Sequence, residues 1–101
     1  MIIIDKVKQA AILQTQFEQA AQSKLDAAAQ AAGYDSINTA VSYAGESSVP
    51  KFQADGQAFR VWRSKVWEYA YAQLALVKAG TEALPTVDAF IAAMPALELP
   101  A

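Results

Sequence analysis

Between Ile2 and Ala32 the chain carries neither proline nor glycine, and alanine, glutamine, lysine and leucine supply most of the run. Those are good helix formers, so the first third of the sequence predicts one long helix. A stripe runs along it through Ile3, Val7, Ala10, Gln14, Phe17, Ala21, Leu25, Ala28 and Ala32, in steps of three and four, with Gln14 its only polar member. Gly33 sits where a left-handed residue would stop such a helix. A helix of this length measures about 45 Å, whereas a compact chain of about 100 residues has a radius of gyration near 13 Å. Two arrangements resolve the mismatch. Either a second long helix pairs with the first as a hairpin, or the opening turns reach out to another chain.

The remaining sequence supplies that second helix. Asp35 or Ser36 can cap a short helix with Ile37, Val41 and Ala44 on one side, closed by Gly45 and the loop GESSVP. Pro50 suits the first turn of a helix that runs on to Ala79, before Gly80. Gly56 weakens its early part and allows a start nearer Gln57. After TEALP, Thr86 can cap a last short helix with Val87, Phe90, Ile91 and Met94 turned inward, and Pro95 ends it. ALELPA has no period and predicts an extended tail, held by Leu97 and Leu99. The expected fold is therefore all-α: two long antiparallel helices over about 2–32 and 51–79, short helices over about 36–44 and 87–94, and the tail. With 101 residues, 1–101 is one domain, in which 1–24 can act as a projecting interaction helix.

One stretch, FRVWRSKVWEYAY at 59–71, gathers half of the chain's aromatic residues and three of its cations. Such a mixture suits a single-strand nucleic-acid binder, in which bases stack on rings and cations follow phosphates. On a helical wheel, however, Phe59, Trp62, Val66, Tyr69, Ala70, Gln73, Leu76 and Val77 share one face, a core stripe. Lys65 points away from Arg60 and Arg63, so no continuous basic rail forms. A smaller group, Arg63, Trp67 and Tyr71 at i, i+4 and i+8, reads as a flank sealing the core or as a partner-binding patch. At the other end, Ile2, Ile3 and Ile4 cannot all face inward on one helix. With Val7 and Phe17 they form a second candidate contact surface, and a helix end lodged on its own core remains the alternative.

Composition narrows the chemistry. The chain has no cysteine and no histidine, which takes away thiolate nucleophiles, thiolate and imidazole metal ligands, and the commonest general base. Its ten acidic residues are scattered, with no dicarboxylate or calcium-loop spacing, and Ser47 and Ser48 lack an activating base. Neither GxxxxGK[ST] nor GxGxxG occurs. A non-catalytic protein without metal or cofactor is expected. The net charge of -2 disfavours nucleic acid as a partner. No secretion signal or eighteen-residue apolar run is present, so neither export nor membrane insertion is expected.

From Leu25 onward the sequence resembles a family of small proteins encoded beside the tail-fibre genes of tailed bacteriophages. The resemblance rests on an ordered series: Leu25 and Asp26, then Gly33, Tyr34 and Asp35, then Tyr43 and Ala44, then Val49, Pro50, Lys51 and Phe52. It continues through Arg63 and Trp67, Ala79 and Gly80, Pro85 and Thr86, and Pro95. Two positions depart, with Ser64 where the family has aspartate and Leu99 where it has tryptophan, which puts a polar contact at 64 and an aromatic anchor in the tail in question. The resemblance covers about three quarters of the chain and leaves the first two dozen residues unmatched. It implies a tail-fibre assembly protein or chaperone that binds the fibre polypeptide in the host cytoplasm and stays on the virion tail or leaves it. A structural tail subunit that forms a homo-oligomer through its first helix is the other reading.

Overall fold

The computed structural model describes residues 2–79 and 86–100, with side chains of the first helix from residue 11 onward. Ile2, Ile3, Ile4 and Val7 therefore lie outside the described side chains, and the TEALP loop lies outside the described residues. The chain is all-α, as the sequence predicts. Helix α1 spans Ile2–Ala31, α2 Ile37–Ser42, α3 Pro50–Lys78 and α4 Val87–Ala92. A 3-10 turn, Tyr43–Gly45, extends α2, and residues 95–100 are extended.

The helix ends follow local chemistry. Gly33 takes φ +99°, and Tyr34 N–H donates to Ala29 O at 2.9 Å, which closes α1 in a left-handed cap. Of the two capping candidates before α2, Ser36 does the work, accepting from Thr39 N–H at 3.2 Å. Asp26 adds a second fastening by accepting from Ile37 N–H at 3.0 Å. Pro50 opens α3 and Thr86 caps α4. Gly56 does not delay α3, which begins six residues earlier, at Pro50.

Helices α1 and α3 run antiparallel. Tyr34, just past the end of α1, meets Phe59 in α3, while Phe17 and Tyr69 both stack on Phe90 farther along. The molecule is a rod of 59 × 21 × 20 Å with a radius of gyration of 16.2 Å, longer than a compact chain of its size. The core row of α1 is Leu13, Phe17, Ala21, Leu25 and Ala29, and that of α3 is Phe59, Trp62, Val66, Ala70 and Leu74. The sequence stripe is displaced at several positions: Leu13 replaces Gln14, Ala29 replaces Ala28, and Leu74 is buried where Gln73 and Leu76 were expected. A strict i+4 row advances about 40° around the helix at each step. It therefore turns with its neighbours as they change along the rod, whereas a 3.6-residue stripe runs straight.

The two short helices take opposite faces of this hairpin. Asp26 and Arg63 hold α2 on one face through Ile37 N–H and Asn38. Phe17 and Tyr69 hold α4 on the other, where Tyr69 Oη donates to Phe90 O at 2.9 Å. Val87, Ile91, Met94 and Leu97 pack on the same core, and Leu99 is 41% exposed, so Leu97 alone carries the expected tail anchoring.

Candidate partner surface and the buried carboxylate

At the closed end of the hairpin, where α1 gives way to α2 and α3, four rings assemble. Tyr34 lies 5.8 Å from Tyr43, 6.3 Å from Phe52 and 6.0 Å from Phe59, and Tyr43 lies 5.3 Å from Phe52. These edge-to-face and tilted contacts are those that ring quadrupoles favour. Asp55 is buried beneath them. Its Oδ2 accepts from Tyr34 Oη at 2.9 Å and from Lys51 Nζ at 2.8 Å, and the lysine side chain is 74% exposed. Asp55 is one of the ten acids that spacing alone leaves scattered. The usable signal was the i, i+4 spacing of Lys51 and Asp55 beside an aromatic run.

The carboxylate fastens one helix end to the next. The Lys51 ammonium first, and the Tyr34 hydroxyl after it, hold Asp55 below the usual carboxylate range against the opposing effect of burial. Burial, then the hydrogen bond to Asp55, pushes Tyr34 up to about 12. The two shifts act at opposite ends of the pH scale. The Asp55 contribution is whole above the ordinary carboxylate range and disappears as pH falls through its lowered value. The Tyr34 contribution is whole below the ordinary phenol value of 10.0 and is lost as pH rises through about 12. Tyr34→Phe is expected to cost about 1–3 kcal/mol at neutral pH, since it removes a buried hydrogen bond to a charged acceptor. It should also flatten, without abolishing, the alkaline loss of stability, because burial raises Tyr69 as well. Urea unfolding between pH 6 and 11 reads both effects, and an alkaline limb identical to that of the unaltered chain would refute the assignment.

Along α3, Arg63, Trp67 and Tyr71 share the α2 face. Arg63 Nη1 donates to Asn38 Oδ1 at 3.4 Å, so the guanidinium is engaged with α2 rather than free on the surface. Trp67 is half-buried and stacks on Tyr71, with centroids 5.9 Å apart and an interplanar angle of 29°, while Tyr71 is 58% exposed. This pair continues the hairpin face beyond α2. The flank thus seals part of the core with Trp67 and presents Tyr71 outward.

Phe17 is a correction. It is fully buried and stacks on Phe90 at 4.0 Å and 11°, so it belongs to the core and not to an exposed contact surface. Its place among the apolar residues of α1 suggested exposure because α4, which covers it, lies more than seventy residues farther along the sequence. On the same helix Ile12 is 56% exposed. Among the described residues, no three His, Cys, Asp or Glu side chains could hold a metal ion, and no helix is long and apolar enough to cross a membrane.

The residues that carry the phage-family resemblance at 33–35, 43–44 and 49–52 thus meet at one end of the rod, and Arg63 and Trp67 lie on the adjoining face. The chain matches no protein-family model, no curated protein and no solved structure.

Proposed function

We propose that this chain is a non-catalytic assembly protein that binds the tail-fibre polypeptide of a tailed bacteriophage while the fibre folds in the host cytoplasm. The observation that supports the reading is the meeting of Tyr34, Tyr43, Lys51 and Phe52, contributed by separate pieces of the resembling series, in one aromatic and polar cluster. Trimeric β-rich fibres fold slowly and expose apolar edges, and a small helical protein that covers such surface suppresses aggregation. Trp67 and Tyr71 belong to the residue types that dominate interface energies, and we assign them to the contact surface, with Arg63 positioning the neighbouring α2.

Co-expression with the proposed partner, a tail-fibre polypeptide, followed by light scattering of the purified material, tests the proposal. The expected result is a complex of defined mass and a more soluble fibre, with affinity reduced at least tenfold by Tyr71→Ala. Separate elution of the two chains would refute it. A second reading, a structural tail subunit that self-associates through its first helix, is favoured by the 56% exposure of Ile12 on α1. Self-association without fibre binding would transfer the function to that reading.

A further inference from the structure

Residues 95–100 lie extended across the α4-bearing side of the hairpin, yet little holds them there. Trp62 Nε1–H donates to Pro95 O at 2.8 Å, and Leu97 packs on the core. Among the described residues no other hydrogen bond ties 96–100 to the body, and Leu99 is 41% exposed. Helix α3 beneath is anchored by seven buried residues. The segment nevertheless covers a large aromatic side chain, for Trp62 is only 3% exposed.

The ground on either side of the segment is not filled. One open groove of about 400 Å³ runs between it and α3, lined by Ala58, Val61, Trp62, Lys65 and Glu98. Another, of about 410 Å³, lies toward α1 and α4, lined by Lys24, Ala28, Trp62, Ile91 and Met94. Trp62 is common to both. Polar and apolar atoms both line the grooves, with Lys65 in the first and Lys24 in the second.

We propose that residues 95–100 are a releasable strap over a Trp62-centred docking groove, which also takes an extended peptide segment of the strap's own chemistry. The seated strap defines what fits. A backbone carbonyl accepts the indole N–H, a leucine two residues later enters the core, and an acidic residue beside it shares a groove with Lys65. A competing segment with those features replaces each contact that the strap gives up, and it can spread into the unfilled grooves. The exchange needs no rearrangement of α1 or α3, whose contacts with each other do not pass through the strap. This inference is independent of the fibre-assembly reading, since a chain that bound no fibre would give the same results.

Hydrogen exchange on the unaltered chain tests release. The Trp62 indole N–H is expected to exchange at least tenfold faster than the backbone amides of Val66 and Ala70, because the strap opens while α3 stays folded. Equal rates would mean that the segment leaves only on global unfolding, which would overturn the proposal. The nonapeptide AMPALELPA, which repeats residues 93–101, tests occupancy when added to the full chain and to Leu97→Asp. The variant should bind it at least tenfold more tightly, with Trp62 indole exchange slowed again. Absence of binding to a variant that keeps its helical circular dichroism would overturn the proposal. Should Leu97→Asp fail to fold, indole exchange in the unaltered chain still decides it.

Discussion

Phe17→Ala is expected to remove about 3–5 kcal/mol of stability, the usual cost of deleting a buried aromatic ring. The ring has no exposed surface, and it stacks on Phe90 at 4.0 Å, which also stacks on Tyr69 at 5.3 Å. Its loss leaves a cavity at the junction of α1, α3 and α4 that no neighbouring backbone can fill by a small shift. Domains of this size have about 5–15 kcal/mol in total, so the variant should melt more than about 10 °C below the unaltered chain. Ile12→Ala, about one and a half turns away on the same helix but 56% exposed, supplies the control and should change stability by no more than about 0.5 kcal/mol. Chemical denaturation distinguishes the two. A Phe17→Ala cost below about 1 kcal/mol would mean that the stack is not formed in solution.

The second large effect concerns the smallest residue in α3. A Cβ on Gly56 would lie 2.5 Å from Ala44 N, 2.8 Å from Ala40 O and 2.8 Å from Tyr43 C, all backbone atoms of α2 and its 3-10 extension. Helix propensity alone favours alanine here by about 1 kcal/mol. Steric overlap opposes it, and because backbone rather than a flexible side-chain tip must move, the overlap wins. Gly56→Ala is therefore expected to destabilise by about 2 kcal/mol or more. It should also loosen the adjoining Tyr34–Asp55 hydrogen bond, visible as a lower apparent phenol pKa for Tyr34. Gly33→Ala makes an instructive comparison. No atom lies within 4 Å of a Cβ there, and its cost, about 1–2 kcal/mol, comes from φ +99° alone. A stabilised Gly56→Ala variant would show that α2 does not cross α3 at this distance.

These two sites mark the division between what the sequence discloses and what it conceals. Helix ends depend on a few adjacent residues, so Gly33, Pro50 and Thr86 are legible from spacing and capping chemistry, and the cap of α2 is narrowed to Asp35 or Ser36, of which Ser36 makes the contact. Burial on a helix depends on which neighbour lies opposite. The straight wheel stripe accordingly placed Gln73 and Leu76 inward, while the actual row turns to Leu74. Gly56 looked like a weakness of α3 because only the approach of Ala40 and Ala44 makes a missing side chain useful. Phe17 looked available because Phe90 comes from a distant helix. Of the proposed contact residues, Arg63 and Trp67 are partly taken up by α2 and the core, and Tyr71 is exposed as its position on the wheel suggested. Asp55 was hidden for a similar reason, since its value comes from Tyr34, 21 residues away.

The placement of α4 also bears on how the chain is made. The closed end draws on close neighbours: Gln57 reaches Ala44 across 13 residues, and Tyr34 reaches Asp55 across 21. All of these residues have been synthesised once the chain has grown into the middle of α3. Phe17 is translated long before them, yet its covering ring, Phe90, is added only after α3 is complete. A growing chain therefore completes one end of the rod while its earliest buried aromatic still faces water. Burial of Phe17 waits for α4, so a message truncated before α4 encodes a helical hairpin with an open seam along Phe17 and Tyr69.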